Sequence, residues 1–212
     1  MSPSNGVSTP MTLSFSALRE GNVARGSGPI EATGALSDAQ LIALARESHA
    51  EAFELLYASH KGRIYTFLLR MVADPELADD IAQDVFTKVY PLLPGLDRDH
   101  RVLPWLYRVA SNAAIDQIRR RKRFAWLRIG ALDGTREEPH AADEHGRVGE
   151  QQQVQRVLRA LPPENAAALL LHALEGYSYK EIADIQGVSM TAVRSRIARA
   201  RDGFRKGYEA ST

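Results

Sequence analysis

Three sets of side chains have the types and spacing to do chemistry. The first is acidic. Asp80 and Asp84 lie four residues apart, on one face of any helix that carries them, with Asp79 beside them. Together with His60 these carboxylates raise the question of a metal or hydrolytic site. No glycine-rich phosphate loop, nucleophile elbow or His-Glu-x-x-His pattern accompanies them. Charged faces of this kind are usually solvated or bound to a partner, so the sequence argues against catalysis and for an acidic docking face. The second set is a stripe at steps of three and four: Arg108, Asn112, Asp116, Arg119 and Arg123, with Trp105 at its head. Arginines can hold phosphates, Asn can pair with a base edge and Trp can stack on one, which suits a strand with exposed bases. The plain alternatives are Trp105 as a core residue and Asn112 as an inert surface residue.

The third set lies between Ser178 and Arg205, where two short helices are separated by a tight turn. Ser178 and Glu181 form a capping box that opens the first helix. Gly187 ends it by supplying a left-handed conformation, and Ser189 caps the second. At about 100° per residue, Met190, Val193, Ile197, Ala200 and Phe204 share one arc, expected to be the buried seam. Thr191, Ser195, Ala198, Arg199 and Asp202 point the opposite way, and Arg194, Arg201 and Arg205 lie on one flank. A capped helix, a glycine turn and a basic second helix with small polar residues on its open face make a helix-turn-helix pattern. Its arginines can reach phosphates and guanine edges. An ordinary helical hairpin with a solvated basic face is the plain alternative.

These sets need elements to position them. Residues 1–36 are rich in Ser, Gly, Thr and Pro without apolar periodicity, and read as a disordered tail within which Met11 is a second possible start. Ser37 and Gln40 form a capping box for a short helix to about Arg46. Phe53, Leu56, Tyr57, Ile64, Phe67, Leu68 and Met71 recur at helical spacing over 50–72, with Gly62 weakening the middle. Asp74-Pro75 caps and starts a helix to about Tyr90. Its apolar face is Leu77, Ile81, Val85, Phe86 and Val89, and Pro91 and Pro94-Gly95 then break the chain into a loop. A fourth helix runs from about Leu103 to Arg123. Residues 126–150 are an acidic linker, 151–207 a second helical unit built on Leu169, Leu170, Leu171 and Leu174, and 208–212 a tail. The result is an all-α chain of two small domains, 37–125 and 151–207, joined by a flexible linker.

The 212 residues carry a net charge of only +1, but the charge is segregated. Basic residues concentrate at Arg119–Arg123 and Arg194–Arg205, acids at Glu76–Asp84 and Asp133–Glu150. One basic and one acidic partner are implied. With no cysteine, disulfides and Cys-containing zinc sites are excluded, and the six His show no ligand spacing, so no metal or cofactor is expected. The absence of Cys fits a reducing cytoplasm. No apolar run reaches the roughly 20 residues of a membrane span, and the start lacks a signal-peptide pattern.

The segments AFELLYASHKGRIYTFLLRMV, ELADDIAQDVFTKVY and PWLYRVASNAAIDQIRRRKR, followed by LPPENAAALLLHALEGYSYKEIADIQGVSMTAVRSRIARAR, resemble regions 2 and 4 of extracytoplasmic-function (ECF) sigma factors. These are small bacterial transcription-initiation subunits, and the likeness covers about residues 50–206. The resemblance implies that Asp79, Asp80, Gln83, Asp84 and Phe86 dock on the β′ clamp helices of core RNA polymerase. It implies that the Leu92–Arg101 loop and Trp105, Arg108, Asn112, Arg119, Arg120 and Arg123 melt and read the −10 element. Lys180, Thr191, Arg194, Ser195, Arg196, Arg199 and Arg205 would read −35 duplex. The acidic linker would be the connector that threads toward the polymerase active centre, and an anti-sigma factor would be a further partner. Two other readings are weaker. A conventional helix-turn-helix regulator would need a sensing pocket or receiver-type α/β pattern in the first half, and a protein that only sequesters a partner leaves the Arg-rich helices unexplained.

Overall fold

The computed structural model describes residues 36–97, 99–131 and 147–210, and these are helical with no strand among them. The first domain holds α1 (Asp38–Glu47), α2 (His49–Val72), α3 (Pro75–Val89), a 3-10 turn (Tyr90–Gly95) and α4 (Val102–Ala131). The second holds α5 (Arg147–Ala160), α6 (Pro163–Ala173), α7 (Tyr179–Gln186) and α8 (Met190–Glu209). The expectation of a disordered tail lies outside the described residues except at Leu36. Where a linker was expected over 126–150, helix continues to Ala131 and resumes at Arg147, leaving 132–146 outside the described residues. Helix also runs past 207 to Glu209, and Tyr208 stacks on Phe204 with ring centroids 6.1 Å apart, so the C-terminal tail begins later than expected.

The caps set the element starts. Ser37 and Gln40 close the expected box on α1. Asp74 accepts from the Leu77 amide at 3.1 Å with Pro75 at the first helical position. Its carboxyl is held below its ordinary range, first by that amide and further by Arg121, whose Nη1 lies 3.0 Å away. The start of α4 is capped from a distance: the Val102 amide donates to Asp38 Oδ2 at 3.1 Å, satisfying one of the donors that a helix start leaves without a partner. Gly62 does not interrupt α2, which stays continuous for 24 residues because Ile64, Phe67 and Leu68 bury its inner face.

In the first domain α2 is central, packed against α1, α3 and α4. Leu56, Ile64, Phe67, Leu68, Leu106 and Tyr107 are fully buried there. In the second domain α6 plays that part, with Leu169, Leu170 and Leu171 wholly inaccessible beneath α8. The two domains touch. Helix α4 packs on α6 and α7, and α2 packs on α5 and α6. Gln155 of α5 donates to the carbonyls of Leu69 and Arg70 at 3.2 and 2.8 Å, capping the exposed end of α2 from the other domain.

Candidate nucleic-acid and polymerase interfaces

The acidic face stands on α3. Asp80, Gln83 and Asp84 are exposed and Asp79 is half-buried. Gln83 Nε2 donates to Asp79 Oδ2 at 2.7 Å, which fixes the amide and leaves the Asp80 and Asp84 carboxylates open to a partner. Phe86 does not belong to this face. It is 2% exposed, and its ring meets Tyr57 edge-on at 4.9 Å and Phe53 at 6.4 Å. At about 100° per residue, Phe86 lies roughly 120–160° around the helix from Asp80 and Asp84, on the side of the half-buried Asp79 and of the core. It supports the face from beneath rather than touching what binds there.

The stripe on α4 is built as the spacing predicted. Leu106, Tyr107, Ala110, Ala114 and Ile115 bury one side, and Arg108, Asn112, Arg119, Arg120 and Arg123 are exposed on the other. Trp105 is half-buried: it packs against the core, with the His100 ring edge-on at 5.8 Å. The core reading of Trp105 therefore describes its packed side. The stripe faces the second domain. Trp105 and Arg108 share a cleft with Glu181, Asp184 and Ile185. Asn112 and Arg119 share a more polar one with Glu164, Gln186 and Arg196. Arg119 is ion-paired with Glu164 across that cleft.

The helix-turn-helix is α7 and α8. The Ser178 hydroxyl accepts from the Glu181 amide at 3.3 Å, and the Ser178 amide donates to Glu181 Oε2 at 3.0 Å. Gly187 closes α7 at φ 63, ψ 39, the left-handed turn expected of it. The Ser189 hydroxyl accepts from the Ala192 amide, opening α8. Val193, Ile197, Ala200 and Phe204 form the buried seam. Met190 does not join it: at 49% exposed, it sits in the first turn of α8, ahead of where the seam meets α6. Thr191, Arg194, Ser195 and Arg199 are exposed on α8 and Lys180 on α7. Arg199 Nε donates to the Ser195 carbonyl at 3.2 Å, which holds its fork along the open face. Arg205 pairs with Asp202 at 2.9 Å, and Lys206 pairs with the same carboxylate, which both cations hold below its ordinary range, Lys206 foremost. Arg196 departs from the expected set. It is half-buried, donates to Gln186 Oε1 at 2.8 Å and lines the cleft toward α4 rather than the open face.

Glu164, Glu175 and Glu181 were not singled out as site residues by the sequence. Glu181 was legible only as a capping residue; its second oxygen accepts from Arg101 Nη1 at 2.7 Å. That bond leads the causes that hold its carboxyl down at about 2, with the two Ser178 bonds behind it. Glu175 pairs with Arg63 at 2.9 Å. These partners lie 80 and 112 residues apart, and no local pattern links them.

An exposed acidic face on α3 in one helical domain and an exposed basic helix, α8, in the other make this a two-domain, all-α protein carrying a helix-turn-helix. The comparisons sharpen the class. A family model for sigma-70 region 2 matches residues 56–124, and one for sigma-70 region 4 matches 151–202. The chain belongs to the sigma-70 family of RNA polymerase sigma factors, in its ECF group. It is 31% identical over 185 residues to the RNA polymerase sigma-H factor of Pseudomonas aeruginosa, spanning 81% of this chain and 94% of that one. It is 30% identical to RNA polymerase sigma factor CarQ of Myxococcus xanthus, over 76% of this chain and 91% of that one. Among solved structures, CnrH in complex with the cytosolic domain of CnrY matches with TM-score 0.59 and 27% identity, covering 82% of this chain and 99% of that one. Sigma factor RpoE in complex with the anti-sigma factor NepR from Bartonella quintana matches with TM-score 0.59 over 74% of this chain and 96% of that one; at 20% identity this is a likeness of fold. No described helix is long and apolar enough to cross a membrane.

Proposed function

We propose that this chain acts as the promoter-selecting subunit of bacterial RNA polymerase, without covalent chemistry of its own, and works in the cytoplasm. The observation that carries this reading is that its two charged surfaces lie on different domains. Asp80, Gln83 and Asp84 are exposed on α3, and Thr191, Arg194, Ser195 and Arg199 are exposed on α8. The first would dock on the basic β′ clamp helices of core polymerase, where opposite charge steers and registers the encounter. The second would lie in the major groove of the −35 duplex, with Lys180 on the neighbouring backbone. The α4 stripe would hold the −10 strand. Trp105 offers an aromatic edge, Asn112 a paired donor and acceptor for a base, and Arg108, Arg119, Arg120 and Arg123 the phosphate contacts. Captured bases and phosphates would then offset the cost of unstacking the duplex. Two solved structures of like fold hold a protein partner, RpoE the anti-sigma factor NepR and CnrH the cytosolic domain of CnrY, and a partner of the anti-sigma kind is proposed here by analogy.

The test is reconstitution. The chain, mixed with purified core polymerase, should form a holoenzyme that retains a defined subset of a promoter-fragment pool, with permanganate-reactive thymines near −10. In holoenzyme carrying Asn112→Ala that reactivity should fall while −35 binding persists. Normal opening with weakened duplex binding would place Asn112 in the wrong element.

A further inference from the structure

The region 2 family model begins at residue 56, so α1 and the first turns of α2 lie ahead of everything it matches. Yet α1 is tied to the segment that leads into α4. Leu41, Ile42 and Ala45 bury its inner face in the core of the first domain, which seats the helix firmly. From that seat Arg46 reaches the 3-10 turn after α3. Its Nη2 donates to the Leu96 carbonyl at 2.8 Å and its Nε to the Pro94 carbonyl at 3.3 Å. These carbonyls stand two residues apart, and a planar guanidinium spans them as a point charge cannot. At the other end of α1, Asp38 accepts from the Val102 amide, the first of α4, at 3.1 Å. One helix therefore holds both ends of the connection from the turn to α4. His49, opening α2, adds a third tie: Nε2 lies 2.5 Å from the Tyr90 carbonyl, and its ring stacks on the Tyr90 ring with centroids 4.0 Å apart.

What these ties control is the approach to Trp105. Pro91 and Pro94 lack the amide hydrogen that would carry a helical ladder onward, and the turn stops at Gly95 with Leu93 fully buried beneath it. Further on, the His100 amide closes a turn on the Asp97 carbonyl at 2.9 Å, and the His100 ring meets Trp105 edge-on. Trp105 itself follows directly on the turn of α4 that Asp38 caps. We infer that α1 belongs to the strand-reading unit: Arg46 and Asp38 are positioning residues that set the gap between this connection and the α4 stripe, and with it the selection of an unstacked −10 base. This rests on the −10 role proposed for α4. Neither side chain need touch DNA, since both act on backbone atoms. Hydrogen bonds at so exposed a place add little net stability, because water competes for the same groups. Their effect is on geometry, and a recognition site needs its groups held within about 0.5 Å. Arg108, Arg119, Arg120 and Arg123 are exposed on α4 itself. The attraction for phosphates, which carries no sequence information, should therefore survive loss of the brace.

The test uses holoenzyme assembled from core polymerase and the full chain. It is titrated with two fluorescent single strands, the −10 non-template sequence recovered from the promoter-fragment pool and a scrambled version of it. Wild type should favour the matched strand. Arg46→Met keeps the stem and removes the guanidinium. It should cut that preference by at least about fivefold, the size of one lost base selection, while affinity for the scrambled strand stays within about twofold. Arg46→Lys can still reach one carbonyl and should keep an intermediate preference. Asp38→Ala, made separately, should reproduce the loss from the other end of the connection. Retention of core polymerase and affinity for −35 duplex should not change, because they use α3 and α8. A purely structural role would lower affinity for both strands together. That result, or an unchanged preference in Arg46→Met, overturns the positioning role. If wild type discriminates and the variants do too, the positioning role falls alone. If wild type itself fails to discriminate, the −10 reading falls and takes the positioning role with it.

Discussion

Single residues on one helix serve opposite ends, and α3 shows the contrast best. Asp80→Arg with Asp84→Arg alters only exposed side chains. It should leave the melt unchanged and abolish retention of core polymerase in a pull-down, because like charges at an interface cost several kcal/mol. Phe86→Ala should instead remove about 3–5 kcal/mol of stability, as expected for a fully buried aromatic ring, measurable by urea unfolding. The family pattern groups Phe86 with the acids; its burial takes it out of their exposed face, roughly 120–160° around the helix from Asp80 and Asp84. Helix α8 carries a second contrast. Arg199→Ala should cost about 1–3 kcal/mol on the preferred −35 duplex and relax selectivity at one base pair. Arg205→Ala should weaken all duplexes alike and lower the log–log salt slope by no more than about one unit, since Asp202 already shares its charge. Titrations on matched and mutated duplexes at several salt concentrations decide both. Arg196 was grouped with these readers because it lies between them in sequence, and only its partner Gln186 reveals that it faces inward.

Helix starts and stops were the most legible features, because each depends on a few adjacent atoms. The boxes at Ser37 and Ser178, the Asp74 cap and the left-handed Gly187 all rest on residues within three or four positions of one another. Ends set by distant groups were not legible. Helix α4 is capped by Asp38, 64 residues away, and α2 by Gln155 in the other domain. The stop of α2 also uses Ala73 at φ 55, a left-handed position without glycine. An L side chain there costs about 1–2 kcal/mol, so Ala73→Gly should stabilise the chain by about 0.5–1 kcal/mol after the unfolded-state entropy of glycine is subtracted. Chemical denaturation of the full chain gives the number, and destabilisation by Gly would show that the turn is held by contacts of the Ala73 methyl.

At the scale of the whole molecule, the sequence yields two domains and their charged faces but not the contact between them, whose ion pairs join residues 45, 80 and 112 positions apart. The Glu181 carboxyl links that contact to pH. Its pKa falls from an ordinary 4.5 to about 2, Arg101 being the largest cause. A depressed carboxylate stabilises the folded form fully above about pH 4.5 and loses that contribution as pH drops toward 2. The stability gap between wild type and Glu181→Gln should therefore be flat from pH 8 to 5 and close below 4.5, followed by thermal unfolding. The account as a whole stands on promoter-directed initiation. Run-off transcription from a promoter recovered from the fragment pool, with core polymerase and with or without this chain, tests that most directly. The account predicts a discrete transcript only when the chain is present, abolished by Asp80→Arg with Asp84→Arg. A chain that binds the −35 duplex yet yields no transcript, or a transcript indifferent to the α3 substitutions, would contradict it.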